Sequence, residues 1–472
     1  MPGTVRTARN DRKDGLSRRR LLGALALAPL GPALAACRLP VAGRAGRDAG
    51  PAGPRLPAEA VTLRLWHWDD FLIEPYTKEG EAFTQKFPTL TVTVEHTPAG
   101  EYPTKLLAAI AGGVPPDVVG VTVTRADFLT FAAKGVLTPL QPLIQRDRFD
   151  LEDFHPLNLK QHTWKGTLYS LPYAWNTVVW FYNADLFARE GAKTPAEFWR
   201  EGRWTWETYL ELTLRLTRGA GADKQFGSAV VSPTFTAAFL PLVWTNGGEL
   251  FTPYGRGDST PPLRPALLDP PTFGAFQFAY DVRRGAPTAE EARTATVASG
   301  RIGMWPNWDL RYQVDLPVFP FRFSLVPPPA SPRTGLHYFI GNAPGFGIPQ
   351  GAKYPDASWE LLKHLLSPEA LTRVYLATNN TPSRKSLVAG KELWQKNTAL
   401  PDPELMWTIA KAKEKAAKNP PKISTWFEMT RVLAQEMNAV WNDQQDLKTG
   451  VQNVVQQWEV LLKDAEVDPD LG

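Results

Sequence analysis

Four short stretches set tryptophan beside small polar side chains: Trp66-His67-Trp68-Asp69, Trp175-Asn176, Trp244-Thr245-Asn246-Gly247-Gly248 and Trp305-Pro306-Asn307-Trp308-Asp309. An indole face stacks on an apolar C–H surface, while Asp and Asn exchange hydrogen bonds with hydroxyls around its rim. A sugar ring offers both surfaces. The pairing therefore suits carbohydrate better than an ionic ligand, which calls for clustered Arg or Lys. Core packing is the competing explanation for any single tryptophan, because all 17 lie from Trp66 onward beside 12 tyrosines and 23 phenylalanines.

Groups that would do covalent chemistry are scarce. The chain has no G-x-S-x-G elbow, no H-E-x-x-H zinc pair and no G-x-x-x-x-G-K-[ST] phosphate loop. Gly345-Phe346-Gly347 falls short of a dinucleotide fingerprint, since Pro349 blocks the helix whose N-terminus would hold the pyrophosphate. The six histidines lack metal-ligand spacing. Asp69-Asp70 supplies the carboxylates a glycosidase uses, but neighbours in sequence equally make a solvated turn. The expectation is a non-enzyme without cofactor or metal.

The single cysteine, Cys37, follows Ser17-Arg18-Arg19-Arg20-Leu21-Leu22 and an apolar run ending in Leu34-Ala35-Ala36. This resembles a bacterial lipoprotein signal, with residues 1–36 removed and Cys37 lipidated. The run is interrupted by Gly23, Pro29, Gly31 and Pro32 and is short for a membrane span. The arginines also resemble a twin-arginine signal, although Leu21 stands where that motif usually has phenylalanine. Residues 1–36 carry seven Lys/Arg and two Asp, so their removal turns a formal charge of +4 into about −1. The basic pI belongs to the signal, and nucleic-acid binding drops out. Residues 37–58 are rich in Pro, Gly, Ala and Arg and read as a flexible tether.

Apolar periodicity supplies the elements that must position the tryptophans. Val61 to Trp66 alternates as a strand, Tyr76 to Phe87 has helical spacing, Leu90 to Glu95 alternates again, and Tyr102 to Ala111 is a helix stopped by Gly112-Gly113. Val118 to Val123 is a β-branched run apart from Gly120, and Ala126 to Lys134 a further helix closed by Gly135. This alternation predicts an α/β fold with mainly parallel sheets. Thr205 is placed to cap a helix to Leu216, Asp356 one to Leu366, and Ser367 the next, with Pro368 at its first position. Two apolar stripes, Trp426 to Val440 and Val451 to Leu462, end the chain in helices.

Pro116-Asp117-Val118-Val119, Phe131 to Leu140, Gly166 to Tyr173, Phe181-Tyr182-Asn183, Ala298 to Met304, Gly345 to Pro349, Asp356 to Ala370 and Thr381-Pro382-Ser383-Arg384 together resemble the family 1 extracellular solute-binding proteins. These are the maltose-binding-protein-like, sugar-capturing subunits of ABC importers. The resemblance covers nearly everything after Val61. It implies a type II periplasmic-binding-protein fold: two lobes, each a mainly parallel sheet flanked by helices, closing on a ligand between them. Residues 61–170 plus 326–378 would form one lobe and 171–325 plus 379–472 the other, with Leu171-Pro172 and Pro327 to Pro329 as hinge strands. The ligand-binding residues it implies are Trp68, Asp69, Thr122, Arg125, Asn176, Trp244, Asn246, Trp305, Trp308, Trp426 and Arg384.

The resulting expectation is a lipid-anchored receptor at the outer face of the cytoplasmic membrane or in the periplasm. Acting as a monomer, it would capture an oligosaccharide or related polyol and deliver it to the transmembrane subunits of an ABC importer. A glycerol-phosphodiester ligand is the rival within binding proteins, resting on Arg125, Arg301, Arg311 and Arg384. A lipid-anchored carbohydrate-active enzyme using Asp69 is the rival of another class.

Overall fold

The computed structural model describes residues 53–122, 124, 127–252 and 263–468. The signal segment, Cys37, most of the tether and Arg125 lie outside the described residues.

Two main sheets are built from β1 (Val61–His67), β2 (Leu90–His96), β3 (Val118–Val121), β4 (Ser170–Pro172), β5 (Val178–Asn183), β6 (Phe226–Ser228), β7 (Ile302–Trp308), β8 (Phe323–Val326) and β9 (Gly345–Gly347). The first has the order β2-β1-β3-β9-β4 and the second β8-β5-β7-β6.

In the first sheet β1 runs parallel to β2 and β3, with Leu65 opposite Val118, while β9 runs antiparallel to β3 and β4. Alternation along β1 sends Leu63 and Leu65 to one face and Trp66 to the other. Helices Ile73–Lys86, Pro355–Leu365 and Pro368–Thr378 share a core with the first face, and Tyr102–Ala111 and Asp127–Ala133 with the second.

The second sheet differs from the parallel arrangement expected for it. β5 is antiparallel to both β7 and β8, and β6–β7 is its one parallel pairing among the described residues. β5 follows directly on the last strand of the first sheet, whereas β6, β7 and β8 run alike, each after a longer connection. The period of two is clear along β5: Val178, Trp180 and Tyr182 belong to one core, Val179 and Phe181 to another.

Local signals act as their chemistry dictates. Thr205 accepts from Thr208 N–H at 3.4 Å and caps the helix Trp206–Leu216, and Ser367 accepts from Ala370 N–H at 3.2 Å ahead of Pro368. Asp356 departs from expectation. The helix starts at Pro355, so Asp356 lies inside its first turn, pairing with Arg146 and accepting Arg55 N–H at 2.8 Å.

Three passes of the chain join the sheets: residues 173–177, 327–344 and 379–384. Leu171-Pro172 pair with β9 in the first sheet, and Val326 pairs with Trp180 in the second. The passes are laced together. Trp175 N–H donates to Thr381 O at 2.7 Å, Ser383 N–H to Tyr173 O at 3.3 Å, and Asn176 and Asn342 exchange backbone bonds of 2.8 and 3.0 Å.

Candidate functional site

Where the passes meet, a chamber of about 340 Å³ opens between the sheets. Its floor is made of amides and hydroxyls. Asn176 Nδ2 donates to Asn380 Oδ1 at 2.7 Å, and Thr122 and Thr124 each donate to Asn342 Oδ1, at 2.9 and 3.0 Å. Asn176 Oδ1 has no hydrogen-bond partner among the described residues, a state that few buried acceptors keep.

Trp68, just past β1, makes one wall. Its indole stacks on His67 (centroids 4.4 Å apart, planes at 20°) and meets Tyr102 edge-on at 5.5 Å. His67 Nδ1 accepts Asp69 N–H at 3.0 Å, which leaves the ring proton on Nε2 for Tyr173 Oη, also 3.0 Å away. Backbone and ring approach closely here: a Cβ on Gly120 would lie 2.6 Å from Trp68 Cζ3. Only glycine leaves the indole room.

Trp308, at the end of β7, faces it and rests edge-on against Phe235 at 6.2 Å. The next residue fixes its position. Asp309 accepts N–H bonds from Thr177 (3.2 Å) and Leu310 (2.9 Å), and its carbonyl accepts from Asn379 Nδ2 at 3.2 Å. Burial pushes the Asp309 carboxyl up to about 6 against the pull of Lys413 and the backbone donors. Lys413, on the helix Pro403–Ala416, donates to Trp175 O and sits 4.8 Å from the centroid of the Trp175 ring; burial pushes its ammonium down.

The structure brings five of the expected residues to this chamber: Trp68, Asp69, Thr122, Asn176 and Trp308. Four others lie elsewhere. Trp305 and Trp308 are three apart on one strand and so point to opposite faces; Trp305 stacks on Phe181 at 5.7 Å within a phenylalanine cluster. Trp244 is buried in the helix Thr236–Thr245. Asn246 ends that helix, donating to Pro271 O and accepting from Ser331 Oγ, both at 2.6 Å. Arg384 pins a pass, with Nε to Leu366 O at 2.7 Å and an ion pair to Asp153 at 3.0 Å. Trp426 lines an adjoining space but is 1% exposed, packed edge-on against Trp458. Arg125 lies outside the described residues.

Tyr173, Asn342 and Asn380, which lie outside the expected set, also line the chamber. Asn380 directly precedes Thr381-Pro382-Ser383-Arg384.

The charge of the site is low. Asp69 is the one carboxylate among the described lining residues, and the one guanidinium, Arg311, is paired with Asp315. Arg301 is turned away, donating to Ala222 O. Among the described residues no group of His, Cys, Asp or Glu could hold a metal ion, and no helix is long and apolar enough to cross a membrane.

A family model described as bacterial extracellular solute-binding protein matches residues 78–402. The chain is 23% identical over 340 residues to a maltotriose-binding protein of Pyrococcus abyssi, covering 70% of this chain and 68% of that one. It is 22% identical over 445 residues to the sn-glycerol-3-phosphate-binding periplasmic protein of Rhizobium meliloti, covering 84% and 93%. In structure it resembles an ABC substrate-binding protein of Listeria monocytogenes in complex with cycloalternan, at TM-score 0.72, 18% identity, 86% of this chain and 99% of that one. The fold is therefore the two-lobed periplasmic-binding-protein fold, with the chamber between the lobes.

Proposed function

Because the chain belongs to the bacterial extracellular solute-binding protein family, we propose that it captures a carbohydrate, an oligosaccharide or related polyol, between its lobes and delivers it to an ABC permease. The observation that carries this reading is the make-up of the chamber. Two indoles, Trp68 and Trp308, stand over a floor of asparagine amides and threonine hydroxyls, with the lining guanidinium already paired. Uncharged hydroxyls fit such a floor, and C–H faces fit the rings. Relatives named for maltotriose and for arabinooligosaccharide agree with it.

A phosphodiester would need free cations. Of the arginines on which that ligand rests, Arg301 and Arg384 are engaged away from the chamber, Arg311 is paired, and Arg125 lies outside the described residues. The chamber's single described carboxylate likewise fits binding rather than glycoside hydrolysis, which takes two. The lobes, residues 61–172 with 345–378 and residues 178–326 with 385–468, would close about the three passes and present a shape the permease reads. Cys37 would carry the lipid that holds the protein, as a monomer, at the outer face of the membrane.

Tryptophan fluorescence of residues 57–472, titrated with di- and oligosaccharides, polyols and glycerol phosphodiesters, tests this. Saturable change with one glycan or polyol class, and no product on chromatography, is the expected result. Turnover of a glycan that vanishes in Asp69→Ala would sink it, and a response confined to phosphodiesters would move the site to the arginines.

A further inference from the structure

Arg311, the one guanidinium among the described residues that line the chamber, opens a single helical turn, Arg311–Val314, just past the strand that ends in Trp308. That turn is firmly held. Asp315 N–H donates to Arg311 O at 2.9 Å and Tyr312 N–H to Asp309 O at 3.1 Å. Gln313 donates to Leu376 O at 3.1 Å and accepts from Asn397 Nδ2 at 2.8 Å. Arg311 therefore stands on a fixed piece of the second lobe.

Set back from the chamber, four residues on, the Asp315 carboxylate accepts from Arg311 Nη2. The partners differ in access: the Arg311 side chain is 36% exposed, that of Asp315 4%, and Asp315 does not line the chamber. A carboxylate buried so deeply is kept beside a cation. The guanidinium has five N–H donors in a planar fork, and among the described residues one of them is used. Its charge is compensated while most of its donors remain.

Those two properties decide what the group can recognise. A free guanidinium prefers carboxylate, sulfate or phosphate, which return both charge and acceptors. A compensated one still donates to hydroxyl and ring oxygens but offers an anion no net attraction, and Asp69 on the first-lobe side of the chamber adds a negative charge. We infer that Asp315 sets the charge class of the ligand: it holds the Arg311 charge from behind, so that Arg311 serves uncharged sugars as a hydrogen-bond donor and the chamber turns anionic ones away. The inference rests on the carbohydrate reading and adds to it a specificity-determining residue that does not touch the ligand. Selectivity here is a difference between two affinities, set by what the wrong ligand fails to find.

The test is tryptophan fluorescence titration of the wild type, Asp315→Asn and the double variant Arg311→Gln/Asp315→Asn. Malto-, arabino- and manno-triose and ribitol are the neutral probes; inorganic sulfate and D-glucuronate, at constant ionic strength, are the anions. In the wild type neither anion should displace the neutral ligand. Asp315→Asn should let both compete, lowering the ratio of neutral to anion affinity by at least about tenfold, and the gain should fade as salt is raised. The double variant, with no guanidinium left, should lose the gain. Competition by sulfate in the wild type overturns the inference, and that measurement stands whether or not the variants fold. An unchanged ratio in a folded Asp315→Asn, or a gain that survives in the double variant, also overturns it while leaving a carbohydrate receptor in place. Failure of every neutral probe to bind removes the carbohydrate reading and this inference with it.

Discussion

Lys413 Nζ stands 3.9 Å from Asp309 Oδ2, with the two side chains 2% and 3% exposed. The pair ties the helix Pro403–Ala416 to the strand end that carries Trp308, and through Thr177 and Trp175 to the first pass between lobes. Lys413→Met leaves a buried carboxylate without its cation. It should cost about 3–5 kcal/mol of stability at neutral pH, measured by urea unfolding.

The same pair gives a pH signature. Asp309 holds its proton up to about 6 in the folded protein, against an ordinary value of 3.8. The folded state therefore binds more protons between those values, and this group's contribution is present below about 4 and lost as pH rises through about 6. Stability of Asp309→Asn relative to wild type should rise over that window. A flat difference curve would show that the carboxyl titrates normally.

Glu79 has the opposite sign. Burial raises its pKa, but the Arg373 fork, with two bonds of 2.7 Å, and His364 outweigh that and hold it at about 2. Its contribution is present above the unfolded value of about 4.5 and lost as pH falls through about 2. Glu79→Gln should cost about 3 kcal/mol at pH 7 and flatten the acid limb of the stability curve.

Trp305 and Trp308 share a strand but should separate by phenotype. Trp308→Ala should weaken glycan binding roughly tenfold or more with a modest change in melting temperature. Trp305→Leu should lower stability by about 2 kcal/mol or more and leave affinity unchanged. Titration and thermal melting of both variants decide it; the reverse pattern would move the site to the far face of the sheet.

Gly120→Ala tests the support beneath Trp68. The added methyl meets the indole at 2.6 Å, so the ring must shift or the strand must yield, at a cost of about 1–3 kcal/mol. Affinity should fall although residue 120 does not line the chamber. Unchanged affinity with unchanged stability would mean that the ring has other room to move.

Much of this was legible in the residues. Strand alternation and helical spacing marked the elements before the middle of the chain, and tryptophan beside Asn or Asp marked both walls of the chamber. What spacing could not separate was two tryptophans on one strand: Trp305 and Trp308 carry the same local signal, and only the parity of a strand whose start was unknown sends one inward. Trp244 and Asn246 failed for a related reason, since a helix end in the core uses the same polar caps as a loop at a site. Asn342 and Asn380 were hidden because each comes from a pass whose significance lies in its contact with another pass, and no local pattern encodes that. The antiparallel second sheet escaped likewise, since strand direction follows from where the chain crosses between lobes.

That lacing of three passes constrains how such a scaffold can diversify. Asn176, Asn342 and Asn380 are at once the floor of the chamber and part of the passes that join the sheets, so on the proposed reading a change at any of them alters mechanics and recognition together and must be accepted or rejected as one event. Trp68 and Trp308 each belong to a single element at the edge of that joint. New ligand preferences are therefore reached most readily by exchanging the rings at the rim, while the floor stays as inherited.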